Sequence, residues 1–228
     1  MPRLRLIFVL VATAILLIAC SKPGPGSDNS QTISGLPWQI KTYDDGSSEV
    51  FGLRIGHTSL AQATELIKAD HQAAIIIDQQ NSRGLEMYFN QFKAGVLDGK
   101  LVIVADITDA ELEQMIANLD QGDYMASGAR KLIPTDADWN TAEQAVISSI
   151  AFIPAINLDE DIILNRFGQQ PEIVLTPGLK HFLYAKQGLD IALSNEGKEV
   201  LQYVAPKAFQ QLRQPLIYAA QFAAQVEQ

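Results

Sequence analysis

Hydrophobic and polar positions along this chain switch between two periods, and the switches mark out elements. Trp38-Gln39-Ile40 and Glu49-Val50-Phe51 read as two short strands around the turn Asp44-Asp45-Gly46. Ser59 then opens a helix. Gln62 stands three residues on as its capping-box partner, and Leu60, Ala63, Leu66 and Ile67 form one apolar face. Residues 73–78, 85–92 and 100–105 have the length and composition of strands. Asn81-Ser82-Arg83-Gly84 and Asp98-Gly99 supply turns between them.

Thr108 and Glu111 form a second capping box, ahead of Leu112, Met115, Ile116 and Leu119 at helical spacing. The pattern over 121–144 is too weak to assign. Residues 146–153 alternate as a strand that stops at Pro154. A third helix starts near Asn157, with Glu160 in its first turn. It ends at Arg166-Phe167-Gly168, where Gly168 suits a left-handed cap and Pro171 blocks continuation. Strand-like runs follow at 172–175, 180–185, 189–193 and 199–204, joined by Gln187-Gly188 and Asn195-Glu196-Gly197-Lys198. Residues 206–212 suit a short helix, and the Ala/Gln-rich 216–226 a second helical stretch.

The same order therefore occurs twice, helix then antiparallel meander, at 52–106 and at 157–204. The expected class is α+β, with a first unit over 37–106, a connecting helix and strand over 107–156, a second unit over 157–214 and a tail over 215–228. One layered domain and two subdomains both satisfy the pattern.

The N-terminus changes the picture most. Arg3 and Arg5 precede an uncharged apolar run over 6–19, which ends in Leu17-Ile18-Ala19-Cys20. Positive start, apolar core and small residues at the end are the layout of a secretory signal. The run is shorter than the ~20 residues of a stable span. Ser21 to about Leu36 is rich in Ser, Gly, Pro, Asn and Gln and reads as a flexible tether. Leu17-Ile18-Ala19-Cys20 resembles the lipobox of bacterial lipoproteins. The resemblance implies cleavage between Ala19 and Cys20, a diacylglyceryl thioether on Cys20 and acylation of its new amine. Ser21, where that class uses Asp to retain proteins at the inner membrane, implies the outer membrane. Each buried CH₂ contributes ~0.8 kcal/mol, so several acyl chains hold a protein on a bilayer essentially permanently.

Composition narrows the partners. The chain has 17 Lys+Arg against 26 Asp+Glu, formally −9. Removal of residues 1–19 takes away two arginines and no acid, leaving −11. An acidic body argues against nucleic acid and against electrostatic adsorption to anionic lipid. Cys20 is the only cysteine, so the mature body has neither disulfides nor thiolate metal sites. Nothing beside Cys20 would lower its thiol pKa, which makes attachment rather than redox chemistry its expected role.

Gly56-His57-Thr58-Ser59-Leu60 opens one helix. Arg166-Phe167-Gly168-Gln169-Gln170-Pro171 closes another before strands that end Phe182-Leu183-Tyr184. These segments resemble the small outer-membrane lipoproteins of the SmpA/BamE type and the related β-lactamase-inhibitor-like α/β modules. The resemblance implies tandem non-catalytic modules that bind envelope proteins or lipid. This chain departs from the pattern: the two motif ends lie in different units, and two residues separate Gly168 from Pro171 where the family has one.

Candidate chemistry is sparse. His57, His71 and His181 show no H-x-x-x-H or H-E-x-x-H spacing, so no metal site is expected. Asp159-Glu160-Asp161 reads as acids in a first helical turn, complementing the helix dipole. Asp44-Asp45-Gly46 lacks the spaced oxygens of a calcium loop and reads as a turn. Ser148-Ser149 lies outside any G-x-S-x-G setting. Glu86 and Asp190 could meet across sheets as a glycosidase-like pair. Tyr88, Phe89, Phe92, Phe182, Tyr184 and Tyr203 belong to the core or to a binding face, the core being favoured. The expectation is a lipid-anchored, periplasm-facing, non-catalytic binding protein without cofactor, whose partner is another envelope protein. An envelope hydrolase using carboxylates and a carrier of lipid or small ligands are the alternatives.

Overall fold

The computed structural model describes residues 34–117, 119, 122–194 and 199–226. Ala19, Cys20, most of the tether and the turn at 195–198 lie outside the described residues. Ile33–Gln228 forms one compact unit. Its class is α+β, as the pattern predicts, and the two meanders join in one sheet.

Three short strands come first: β1 (Lys41–Thr42), β2 (Ser48–Val50) and β3 (Leu53–Arg54), in a small antiparallel sheet. Helix α1 (Leu60–Ile67) leads into β4 (Gln72–Ile77), β5 (Arg83–Ala94) and β6 (Leu97–Ala105). Then come α2 (Asp109–Ala117), β7 (Asp123–Tyr124), β8 (Arg130–Leu132), α3 (Asp136–Ala142) and β9 (Ile147–Pro154). Helix α4 (Glu160–Phe167) precedes β10 (Glu172–Thr176), β11 (Leu179–Tyr184), β12 (Leu189–Ser194) and β13 (Val200–Val204). A short turn of helix at Pro206–Ala208 runs into α5 (Phe209–Val226). Ten strands form one sheet in the order β10-β11-β12-β13-β9-β6-β5-β4-β8-β7, all antiparallel. Strand β9, from the segment between the two units, pairs with β6 on one side and β13 on the other and fuses the meanders.

Register explains the fusion. Phe182, Ile191, Leu201, Phe152, Leu101 and Phe89 stand opposite one another across six strands, and all are fully buried. Tyr184, Leu189, Tyr203, Ile150, Ile103 and Met87 form a second row. Side chains opposite in register share a face, so both rows line the first face of the sheet. Each buried Phe, Leu or Ile contributes about 1.5–3 kcal/mol of transfer free energy. Helices α1 to α4 cover this face through Leu60, Ala63, Leu112, Met115, Ala142, Ile163 and Phe167 in the same cluster. Val50, Leu53 and Ile55 bring the small sheet into it. The buried Tyr203 hydroxyl donates to the Pro37 carbonyl at 3.0 Å and ties down the start of the domain.

The capping signals are realised. Ser59 accepts from the Gln62 N–H while the Gln62 side chain accepts from the Ser59 N–H. Thr108 and Glu111 form the second box. Several boundaries differ from the sequence reading. Trp38-Gln39-Ile40 precedes β1 rather than forming a strand, with Trp38 edge-on to Phe167 at 6.0 Å. Phe51 leaves the strand at φ 57, a costly left-handed position for an aromatic. Its ring meets Phe92, Phe152 and Tyr203, which offsets that cost.

Asp98-Gly99 is not the second turn of the first meander. The hairpin turns at Gly95-Val96, and Gly99 lies inside β6, where a Cβ would collide with the Phe152 ring. Gly168 closes α4 at φ 126, ψ 152, outside the left-handed helical region but still positive. The separate helices at 206–212 and 216–226 are instead one helix that runs through Pro215. The unassigned 121–144 region holds β7, β8 and α3.

Candidate functional site

Among the described residues, the second face of the large sheet is covered over only one half. At the β10–β13 end, α5 lies over it. Val174, Leu183, Val204 and Phe209 form a small buried cluster, with Leu212, Leu216, Ile217 and Ala220 packed against it. Arg213 of α5 is paired with Glu172 of β10. At the β9–β6–β5 end, register places three rows on this face. Ser149, Val104 and Glu86 form one; Gln202, Ala151, Val102 and Tyr88 the next; Ile153 and Lys100 the last. Tyr88, Val102, Val104, Ala151 and Ile153 are half-buried, and α1 to α4 direct their buried residues to the other face. With strands ~4.8 Å apart and a rise of ~3.3 Å per residue, the open stripe measures roughly 10 by 13 Å.

Two hollows border the stripe. One, of about 640 Å³, lies between α5 and β9, with Ser148, Ser149, Gln202, Lys207, Gln211 and Leu216 among its walls. The other, of about 960 Å³, takes in Asn90, Lys93, Lys100, Ile153, Asn157 and Glu199. Burial on the stripe pushes the Glu86 carboxyl above its ordinary range. The Ser148 hydroxyl donates to the Val104 carbonyl at 3.1 Å, so it is engaged in the sheet.

Beneath the covered half is a buried polar chain. The Thr176 hydroxyl lies 3.1 Å from His181 Nε2, and His181 Nδ1 lies 2.9 Å from an Asp190 carboxylate oxygen. His181 and Asp190 are each only 4% exposed. Asp190 holds the imidazole orientation, and the hydroxyl–imidazole bond links β10 to β11. The order hydroxyl, imidazole, carboxylate could in principle activate an alcohol. Thr176 borders neither of the two hollows.

The remaining candidates separate. Glu86 on β5 and Asp190 on β12 are four strand spacings apart, about 19 Å, too far to flank one glycosidic bond. His57 Nε2 lies 2.9 Å from Asp45, while the His71 ring lies 5.4 Å from that of Phe89 at a tilt of 38°. Asp45 also accepts from the Ser47 hydroxyl and N–H and from Arg54. The Ser47 hydroxyl, its N–H, His57 and Arg54 hold this carboxyl well below the usual carboxylate range. Asp44-Asp45-Gly46 is thus a closed turn. Asp159 caps α4 by accepting from the Ile162 N–H at 2.7 Å, Glu160 pairs with Lys180, and Asp161 lies in the first turn. Phe89, Phe182, Tyr184 and Tyr203 are core; Tyr88 alone of the six aromatics shares the open stripe, and Phe92 packs partly buried against the core. Burial raises the Tyr184 hydroxyl to about 12.

Comparison with protein-family models, curated proteins and solved structures finds no match for this chain.

No motif marks the stripe, yet the sequence carries a signal for it. Leu101-Val102-Ile103-Val104 is apolar at every position. An antiparallel strand with one wetted face normally alternates. Leu101 and Ile103 are fully buried, whereas Val102 and Val104 face the open side. Thr176 carried no comparable signal, because its role arises only from the β10–β11 pairing.

Proposed function

We propose that this chain is a lipid-anchored lipoprotein of the outer membrane, facing the periplasm. In this reading it binds another envelope protein through the open half of its second sheet face and performs no catalysis. The observation that carries the binding claim is the apolar stripe of Val102, Val104, Ala151, Ile153 and Tyr88 beside α5. Its width matches the ~10 Å diameter of one helix. Helix α5 already fills the neighbouring half of the same face, so an amphipathic helix of the partner is the occupant that fits. The anchor claim rests on Leu17-Ile18-Ala19-Cys20 and on the Ser/Gly/Pro-rich segment after it. The repeated helix-then-meander order supports a distant kinship with tandem SmpA/BamE-like modules.

The anchor is tested by palmitate labelling and globomycin-sensitive processing of the full chain in a Gram-negative host. Wild type should label and Cys20→Ala should not; a Cys20→Ala chain that still labels overturns the anchor. The binding claim is tested with Val102→Lys in the full chain. Loss of envelope co-purification, with folding retained, supports it, and unchanged co-purification contradicts it.

A further inference from the structure

The large sheet ends in two edges of different character. The β7 edge is two residues long and begins with Asp123. The β10 edge is five residues, Glu-Ile-Val-Leu-Thr, bounded by Pro171 and Pro177. It pairs with β11 without a bulge. Natural sheets blunt such edges with lysines, prolines or bulges, and β10 has none within it. Its Val174 points under α5, while Ile173 and Leu175 point to the first face and are 44% and 64% exposed.

The backbone geometry is determined by the hairpin. Pro177-Gly178 is a two-residue turn with Gly178 at φ 77, so Thr176 and Leu179 form the hydrogen-bonded pair next to it. Alternation then directs the N–H and C=O of Glu172, Val174 and Thr176 to β11, and those of Ile173 and Leu175 outward. Among the described residues, none hydrogen-bonds to these four outward groups.

We propose that β10 pairs with β10 of a second copy of this chain, antiparallel about a two-fold axis at Val174. Ile173 then stands opposite Leu175 of the second copy, and Leu175 opposite its Ile173. All four outward groups on each chain are used, and four apolar side chains meet on the first face. Charge favours this occupant. The only ionisable group of β10, Glu172, is already held by Arg213 and would face a threonine, so no like charges oppose. Because β10 is the one edge longer than two residues among the described strands, pairing closes at two copies instead of propagating into a fibre. A five-residue edge falls well short of a standard interface, so the dimer should be weak, with a dissociation constant on the order of 10–100 μM.

The test uses the full chain with Cys20→Ser, which removes the only native thiol, in mild detergent. Sedimentation from about 1 to 500 μM should show a monomer–dimer shift. Mixing Ile173→Cys with Leu175→Cys chains under oxidation should give disulfide dimer in at least about five-fold the yield of either alone. Leu175→Lys should weaken the dimer at least about ten-fold. Leu175→Pro removes one outward N–H and adds no charge; it should keep the fold and abolish the dimer. A chain that stays monomeric throughout overturns the proposal. So does a dimer indifferent to both Leu175 variants, or a β10 edge occupied by a strand of a different protein.

Discussion

At the β10–β13 end of the sheet the second face lies under α5, whose Phe209 seals Val174, Leu183 and Val204 beneath it. At the β9–β6–β5 end the same face carries Tyr88, Val102, Val104, Ala151 and Ile153 half-exposed. Both ends share the first-face core, so the difference does not lie in how the sheet is nucleated. It lies in whether the second apolar surface finds cover among the described residues. The covered end also accommodates a buried polar chain, Thr176–His181–Asp190, because α5 and the strands around it exclude water. The open end leaves an acid, Glu86, poorly solvated without an ion-pair partner among the described residues.

The largest test of this comparison is whether the ends fold together. Phe152→Ala removes a ring from the row that both ends share and should cost about 3–5 kcal/mol. Denaturant unfolding followed by probes at each end should remain a single coincident transition; two separate transitions would mean that the halves are independent domains. Asp190→Ala strikes the covered end alone. It strands the buried His181 and should cost about 3 kcal/mol, read as a fall in the denaturation midpoint at unchanged slope.

Glu86→Gln strikes the open end and should do the opposite. The folded state raises the Glu86 pKa, so the carboxyl opposes folding once it ionises. Its destabilising effect is absent below the ordinary glutamate range and grows as pH rises through the raised value. The variant should therefore melt higher than wild type at pH 7 and alike at pH 3.5, by calorimetry at both pH values. Smaller still in stability terms is Val102→Lys, whose long stem can lie along the half-exposed face; a loss of about 1 kcal/mol or less is expected. A large loss would mean that the stripe is core after all.

Much of this architecture was legible in the residues. Ser59 with Gln62 and Thr108 with Glu111 located two helix starts, because a cap is a local interaction that needs only neighbours in sequence. Residues that depend on distant partners were misread. Asp98-Gly99 looked like a turn, but Gly99 is small because Phe152, more than fifty residues later, crosses it. Phe51 looked like a strand residue, but three distant rings hold it at positive φ. Glu86 and Asp190 looked like potential partners only while strand order was unknown. For the candidate site, the apolar run at 101–104 was visible, whereas its half-exposure followed from α5 covering β10–β13 and leaving β9–β6–β5 open.

The most direct test of the binding face is site-specific photocrosslinking of the full chain in a living Gram-negative envelope, with the probe placed in turn at Val102 and at the exposed Tyr124 of β7. One discrete protein adduct is expected from Val102, disappearing when Val104→Lys is added, and none from Tyr124. Equal adducts from both positions, or none from Val102, would contradict binding at this face.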